Sequence, residues 1–345
     1  MTIKINSNEW ENSAKLVSEL LETNVEWKDR FSEYAKEITD RMEKIKGMRK
    51  CFNQRKPLYV YSRIGAVKDA KIKHKGKIVY DLRFHGQSVA TIEVENEEVY
   101  LSETEEQHKK AEDYFGFKYA KLPTKTPWAG SEAAEFRKSF RELDLDPQGK
   151  NQPGKSREHF LESKLLDEFN KKKRAEGKSL VNIQPVRLAG AYFQMPTPLA
   201  ASGVIDYEKK AGAGGGIDIL ARIKYTGKSN LCIMELKDEN KKEEPPEKVM
   251  QQAVAYAVFI AHLLRNTARN SGNKWYKLFG FGENVPRELD LMAIAVMPGK
   301  GTDFEKEVWL EELKTTIMLR SLYFEETDKA GFAFSGSLQR MLATK

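Results

Sequence analysis

The stretch GGGIDILARIKYTGKSNLCIMELK, residues Gly214 to Lys237, consists of two short runs rich in strand-forming residues around a polar turn. The glycine in that turn, Gly227, suits the first central position of a two-residue type II′ hairpin turn. The turn predicts a register in which Asp218 faces Lys237, with Asp218 diagonal to Glu235. Side chains alternate along a strand, so these three charged residues are expected on one face. A slip of one residue would move a carboxylate to the other face.

Two carboxylates at one end of a hairpin form an oxygen-rich, negatively charged site. Such a site suits Mg²⁺, which takes one or two carboxylates and completes its coordination with water and phosphate oxygens. A lysine two residues beyond Glu235 can hold or activate a water and offset charge in the transition state. These are the parts of metal-assisted phosphodiester hydrolysis. An ordinary strand end with an Asp and a Glu/Lys pair is the alternative interpretation.

The same residues form a recognisable motif. Gly216-Ile217-Asp218 is followed, after a hairpin-sized gap, by Glu235-Leu236-Lys237, and the next helix carries Gln252 and Tyr256 in a Gln-x-x-x-Tyr pattern. This arrangement resembles the core motif of the PD-(D/E)XK nuclease superfamily, and the Gln-x-x-x-Tyr pattern is similar to that of its RecB-like branch. The resemblance covers roughly residues 156–265. Isoleucine stands before Asp218 in place of proline, which RecB-type sequences tolerate.

The resemblance implies a role for each residue of the hairpin. Asp218 and Glu235 would be metal ligands, and the carbonyl of Leu236 would be a backbone ligand. Lys237 would be the catalytic lysine. The implied cofactor is Mg²⁺, with Mn²⁺ able to substitute.

The resemblance also implies site residues on two helices. Many members place a further glutamate ligand on the helix before the first core strand, and Glu162 is the candidate, with Glu158 one turn earlier as the alternative. Gln252 and Tyr256 lie four residues apart on a largely apolar helix, so they should point the same way, toward the site or the DNA backbone. Locally satisfied buried polar residues are the other interpretation of this pair.

Composition favours a polyanionic partner without identifying one. The 345 residues include 58 Lys and Arg against 51 Asp and Glu, a net charge of +7, and basic surface concentrates phosphate-bearing ligands. The two cysteines, Cys51 and Cys232, lack metal-ligand spacing and fit a reducing cytosol. No apolar run approaches the ~20 residues of a membrane span, and the N-terminus lacks a signal-peptide pattern. We expect a soluble cytoplasmic protein with no membrane partner.

The chain divides by pattern into two predicted domains, 1–150 and 151–345, with the boundary in a segment rich in Pro, Gly, Asn and Asp. The first is expected to be α+β: a helical hairpin or broken helix over residues 6–46, then an antiparallel meander over 58–101. Basic residues alternate with aromatic ones there, which suits phosphate contact and base stacking. They are Arg63, Lys68, Lys71, Lys73, Lys75, Lys77 and Arg83, with Tyr59, Tyr61, Tyr80 and Phe84.

The second predicted domain has the order helix, strand, strand, strand, helix, strand, which makes a mixed α/β core. Strands are expected at 289–299 and 316–324, around a helix at 304–314. The resemblance implies a restriction-endonuclease-like mixed sheet flanked by helices. Scattered basic residues could line a groove for the nucleic-acid backbone. They are Lys155, Arg157, Arg187, Lys209, Lys210, Lys224, Lys241 and Lys242.

The resemblance, together with the basic composition, implies a Mg²⁺-dependent nuclease acting on DNA, and by analogy the large added domain favours restriction, anti-phage defence or DNA repair. The domain of residues 1–150 would serve target binding, regulation or contacts within a homo-oligomer or with a partner protein. A non-catalytic nucleic-acid-binding or scaffold module on the same fold is one alternative, and a nuclease acting on RNA is another.

Overall fold

The computed structural model describes most of the chain. The described residues are 7–53, 56–62, 78–116, 118–145, 157–169, 182–199, 215–225, 227–238, 245–327 and 331–343. They form a mixed α/β structure that divides into two compact units. Unit one comprises residues 1–39, 165–186 and 194–345, and unit two comprises residues 40–164 and 187–193.

The helices and strands alternate irregularly along the chain. In order they are α1 (Ser7–Thr23), α2 (Glu26–Arg49), β1 (Leu58–Ser62), β2 (Ile78–Phe84), β3 (Gln87–Glu95), β4 (Glu98–Ser102), α3 (Glu105–Phe115), β5 (Thr126–Pro127), α4 (Ser131–Leu145), α5 (Arg157–Phe169), β6 (Ile183–Pro185), β7 (Arg187–Leu188), β8 (Ala191–Tyr192), β9 (Ile219–Tyr225), β10 (Lys228–Leu236), α6 (Pro246–Arg265), α7 (Ser271–Leu278), β11 (Leu289–Pro298), β12 (Glu305–Leu310), β13 (Thr315–Thr327), β14 (Gly331–Ser335) and α8 (Ser337–Ala343). No helix in the described residues is long and apolar enough to cross a membrane.

Unit one is built on a mixed sheet with the strand order β12-β13-β11-β10-β9-β6, and β14 pairs with the second half of β13. The centre is parallel, because β11 runs in the direction of both β10 and β13. β9 pairs antiparallel with β10, as the predicted hairpin requires. The central strands are largely apolar and buried over most of their length, as expected for parallel strands covered on both faces.

Helix α6 is the connection between β10 and β11 and is buried over most of its length. Its sequence is largely apolar from Val249 onward, because one side packs on the sheet and another on α1. Aromatic rings of α2 complete this packing: the ring centroids of Trp27 and Phe31 lie 5.5 and 5.1 Å from that of Phe259. The first two helices, predicted as part of an N-terminal domain, therefore belong through residue 39 to unit one.

Unit two has its own sheet, in the order β5-β4-β3-β2-β1-β8-β7. Strands β1 to β4 pair antiparallel with one another in chain order, which confirms the predicted meander, and β1 pairs parallel with β8 on its other side. Helices α3 and α4 contribute Phe115, Phe136 and Phe140 to a core built on the sheet. Because the chain returns to this sheet with β7 and β8, unit two is not one continuous segment. The predicted boundary at residue 150 lies outside the described residues, and these units differ from that single division.

Two sequence predictions are wrong in this fold. Residues 305–310 form strand β12, not a helix. Lys306, Val308 and Leu310 alternate with exposed neighbours, and the strand pairs antiparallel with β13 at the edge of the sheet. The aromatic residues of the meander do not form an open stacking surface: Tyr59, Tyr61, Tyr80 and Phe84 are all buried. Edge pairing and burial are long-range effects that override local pattern.

The basic half of that meander falls largely outside the described residues, which exclude Arg63, Lys68, Lys71, Lys73, Lys75 and Lys77. Arg83 is described, and its Nε donates to Asp81 Oδ2 at 2.7 Å while its guanidinium stacks 4.2 Å from the ring centroid of Tyr61. Its charge is therefore committed within unit two.

Candidate active site

The turn of the β9–β10 hairpin lies one residue earlier in the chain than predicted. Tyr225 pairs with Lys228, and the ladder continues to the pair Ile219 and Met234. Position 227 is therefore the second central residue of the turn, not the first, and its φ of +80° explains why glycine stands there. Moving the two-residue turn back by one position shifts β10 by two residues against β9.

This shift brings the two predicted carboxylates closer in register. One residue beyond the last ladder pair, Asp218 stands opposite Glu235, where the prediction set it opposite Lys237 and diagonal to Glu235. Because a shift of two residues preserves the alternation of side chains, Asp218 and Glu235 remain on the same face. The directly opposed position is the closest that two residues on neighbouring strands can take.

Four of the predicted site residues form two hydrogen-bonded pairs at this strand end. The backbone N–H of Leu236 donates to Asp218 Oδ2 at 2.8 Å, which holds that carboxylate against β10. Lys237 Nζ donates to Glu235 Oε1 at 3.0 Å. Glu235 and Lys237 are 3% and 4% exposed, so the ion pair is buried, while Asp218 is half-buried. A buried pair needs its partner charge, since either ion alone would be strongly destabilised.

The backbone around the pair is fixed from both sides. Lys237 N–H donates to the carbonyl of Val296 in β11 at 3.0 Å. On the other side, Ile217 N–H donates to Met195 O at 2.9 Å, and Gly216 forms a bridge with Pro196. Glycines 215 and 216 of the predicted loop thus lie in a paired segment, and the predicted positions Gly212 and Gly214 lie outside the described residues.

Helix α6 contributes Tyr256 to the same neighbourhood. Burial raises the pKa of the Tyr256 phenol, and the negative charges of Glu235 and Asp218 raise it further. The phenol therefore stays protonated at neutral pH. Gln252, one turn earlier on α6, is also buried, at 7% exposure.

The glutamates predicted on the preceding helix lie in α5. Glu162, in unit two, is buried, and it accepts a hydrogen bond from Tyr61 Oη at 3.2 Å. Its other carboxylate oxygen lies 3.6 Å from His159 Nδ1. Glu158 is half-buried. The role of either glutamate as an ion ligand stays a prediction.

The hairpin supplies a donor set of two carboxylates. Among the described residues, no group of three or more His, Cys, Asp or Glu side chains is placed to hold a metal ion. Two oxygen-bearing side chains fit Mg²⁺, which usually keeps several waters and takes one or two carboxylates. The opposed Asp218 and Glu235 are the side chains that would hold it.

Two neighbouring features escaped the sequence analysis. Asp238 follows the catalytic candidate Lys237 directly and is 7% exposed. Nothing in the sequence indicates this burial, because an acidic residue after a strand is usually exposed. The loop after β11 contains Gly299, Lys300 and Gly301 and lies at the same edge of the sheet, because β10 and β11 are parallel. The sequence feature that could have indicated this loop is an isolated lysine between two glycines after an apolar run.

Most of the predicted groove residues cannot be placed. Arg187 and Lys224 are described, in β7 and β9, and Arg187 donates to Tyr192 Oη at 3.0 Å. The positions outside the described residues, or without a described side chain, are Lys155, Arg157, Lys209, Lys210, Lys241 and Lys242.

Comparisons of this chain with protein-family models, with curated proteins and with solved structures give no match.

Proposed function

We propose that the protein is a metal-dependent nuclease that hydrolyses DNA phosphodiester bonds. The observation that carries the proposal is the opposed pair Asp218 and Glu235 at the end of the β9–β10 hairpin, with Lys237 bonded to Glu235. Nothing in the packing of a core strand requires two carboxylates and a lysine at one buried point. A functional site is the physical reason for placing them there.

The topology around the pair supports the same proposal. An antiparallel hairpin leads into a buried helix and then into a strand parallel to the second hairpin strand. This is the arrangement expected of a restriction-endonuclease-like core, with helix α6 as its crossover. The carboxyl ends of the parallel strands, where ligands bind in open α/β sheets, meet at the edge that holds Glu235.

Asp218 and Glu235 would hold the ion, with the Leu236 carbonyl as the proposed backbone ligand. A bound Mg²⁺ would supply Lewis-acid stabilisation of the phosphate and of the attacking water. The chain itself supplies pre-organisation: Leu236 N–H orients the Asp218 carboxylate, and burial keeps competing water out.

Lys237 and Tyr256 provide hydrogen-bond donors beside the carboxylates. The Lys237 ammonium offsets negative charge that develops on the phosphate as the bond breaks. The Tyr256 phenol, held protonated by burial and by two nearby carboxylates, can donate to a phosphate oxygen. Gln252 lies one turn away on the same helix and is the further candidate for a backbone contact.

A cleavage assay tests this function. The native protein is incubated with linear, circular and single-stranded DNA and with RNA, in Mg²⁺, in Mn²⁺ or in chelator. We expect cleavage of DNA that needs a divalent ion, and a loss on the order of 100-fold or more in Asp218→Asn and Lys237→Ala, since ion-based stabilisation is worth several kcal/mol.

The matched control is Asp290→Asn, a half-buried aspartate at the opposite end of β11. This substitution removes one negative charge from the same sheet, and the variant should cleave DNA at the native rate. Cleavage in chelator, or equal losses in Asp218→Asn and Asp290→Asn, contradicts the mechanism. Binding of DNA with no cleavage supports the non-catalytic module, and cleavage of RNA alone changes the substrate.

The biological setting is part of the proposal. A unit two with its own sheet and core is a large addition to a nuclease domain, which favours restriction, anti-phage defence or repair and contacts with a partner or second copy. The free thiols of Cys51 and Cys232 fit the reducing cytoplasm in which such a protein would act.

A further inference from the structure

The loop that follows β11 lies at the edge of the sheet where the candidate active site is found. Strands β10 and β11 are parallel, with Glu235 beside Ala295 and Leu236 beside Val296. Both strands therefore end on the same side. The chain continues from β11 through the segment Gly299-Lys300-Gly301 before it turns back toward β12.

This loop is anchored at both ends. Gly299 N–H donates to Phe324 O at 2.9 Å, where a φ of +76° turns the chain. Thr302 is held twice, since its carbonyl accepts from Tyr323 Oη at 2.5 Å and its Oγ1 donates to Glu247 at 3.2 Å. An anchored loop can present a side chain in a defined place without a large entropic cost on binding.

The glycine after the lysine has a packing reason. A β-carbon at Gly301 would lie 2.7 Å from Tyr323 Oη, so a larger residue would displace the ring that holds the loop. Asp303, two residues on, is bonded to Ser321 Oγ at 2.7 Å and to Arg340 at 2.6 Å. The loop thus keeps its conformation through residues other than Lys300.

Lys300 itself is exposed. No salt bridge within the described residues engages its ammonium group, and the carboxylates near the loop have other partners: Glu247 accepts from Thr302, and Asp303 pairs with Arg340. An unneutralised lysine on an anchored loop at this edge is suited to contact a phosphate.

The reach of the loop matches the spacing of a nucleic-acid backbone. Lys300 follows Ala295 by five residues, so at most about 17 Å of chain separates it from the strand position beside Glu235. Phosphates repeat about every 3.4 Å of axis along one strand of a duplex. A strand that has one phosphate at the carboxylates and runs toward this loop would reach Lys300 within a few nucleotides.

We propose that Lys300 is a positioning residue that contacts a backbone phosphate of the nucleic acid, flanking the phosphate at Asp218 and Glu235. The inference rests on the proposed nuclease function and adds to it a substrate-backbone subsite at the β11 loop. The contact is to phosphate, so it is independent of base sequence.

The experiment compares Lys300→Ala with Lys228→Ala. Lys228 is an exposed lysine at the other end of β10, about 26 Å along the strand from Leu236. Binding of a fluorescent 30-base-pair DNA duplex is measured by anisotropy at several salt concentrations in chelator, so that cleavage does not intervene. Cleavage in Mg²⁺ is measured separately on the same variants.

We expect Lys300→Ala to weaken binding about 5- to 10-fold at low salt and to reduce the slope of log affinity against log salt by about one, the loss of one phosphate contact. Lys300→Arg should keep the native slope, and Lys228→Ala should match the native protein. With Mg²⁺, Lys300→Ala should raise KM more than it lowers kcat.

The inference is overturned by an unchanged slope in Lys300→Ala, by an equal loss in Lys228→Ala, or by the absence of DNA binding in the native protein. The two proposals fail separately. Metal-dependent cleavage that Lys300→Ala leaves intact contradicts the subsite alone, while a lower slope in a protein that does not cleave contradicts the nuclease alone.

Discussion

His262 is a buried histidine on α6 whose environment opposes its charge. Burial, and to a smaller extent the nearby Lys28 ammonium, lower its pKa to about 4. Its Nε2 lies 2.8 Å from Ser18 Oγ of α1, so the pair joins two helices of unit one. In the sequence His262 is one of five scattered histidines with nothing to distinguish it. Its burial in the structure is what predicts an effect on stability.

The low pKa predicts a pH dependence of unfolding. An unfolded histidine titrates near 6.5, so between about pH 6.5 and 4 the unfolded chain binds the extra proton and the free energy of unfolding falls as the pH falls. From pH 7.5 to 4.5 the loss from this residue is about 2.5 kcal/mol.

Urea unfolding of the native protein and of His262→Gln at both pH values checks this. The His262→Gln variant should lose the part of the pH dependence of the free energy of unfolding that comes from His262. Ser18→Ala, which keeps the histidine, is the control. A His262→Gln variant with the full native pH dependence contradicts the assignment.

Two helical glycines differ sharply in how closely other atoms surround them. Gly272 lies in α7 just after the chain leaves α6, and a β-carbon there would stand 2.0 Å from the carbonyl oxygen of Leu264. Gly47, in α2, has no atom within 4 Å of such a β-carbon. The two positions are both helical glycines, yet packing gives them opposite roles.

Alanine at these positions should therefore act in opposite directions. Gly272→Ala is expected to destabilise unit one by about 2 kcal/mol or more, because backbone atoms must move. Gly47→Ala is expected to stabilise its helix by about 0.5–1 kcal/mol. Thermal unfolding followed by circular dichroism measures both, and similar shifts in the same direction would contradict this packing.

The β9–β10 hairpin shows how far local pattern reaches. Strand type, the presence of a tight turn and the shared face of Asp218 and Glu235 follow from alternation along two short runs. The position of Gly227 within the turn does not, because type II′ glycine and a positive φ in the second central position are both compatible with the same residues. Pairing along the whole strand decides between them.

In the molecule as a whole, helix α1 and the start of α2 pack against helix α6 of unit one. Trp27 is fully buried, donates from Nε1 to Leu21 O at 3.0 Å and packs its ring on Phe259 of α6. Leu16, on α1, is 55% exposed. The apolar surface of α6 therefore depends on chain segments more than 200 residues away in sequence.

This arrangement predicts the result of dividing the chain at residue 150. A fragment of residues 151–345 lacks α1 and α2 and should be insoluble or lose cooperative unfolding. In the full chain, Trp27→Ala should cost about 3–5 kcal/mol, and Leu16→Ala should change stability by less than about 0.5 kcal/mol. Urea unfolding separates the two variants, and a stable, cooperative 151–345 fragment contradicts this dependence.

Local periodicity is contained in neighbouring residues, so the sequence alone determines the hairpin, the apolar helix α6, the strand β11 and the gathering of Asp218, Glu235 and Lys237 at one strand end. Other features depend on distant partners. Pairing with β13 makes residues 305–310 a strand, and burial removes Tyr61 from the surface. Asp81 and the ring of Tyr61 engage the Arg83 guanidinium, and the parallel alignment of β10 with β11 brings Lys300 to the edge of the candidate site. Tertiary structure decides these because the competing partners lie far apart along the chain.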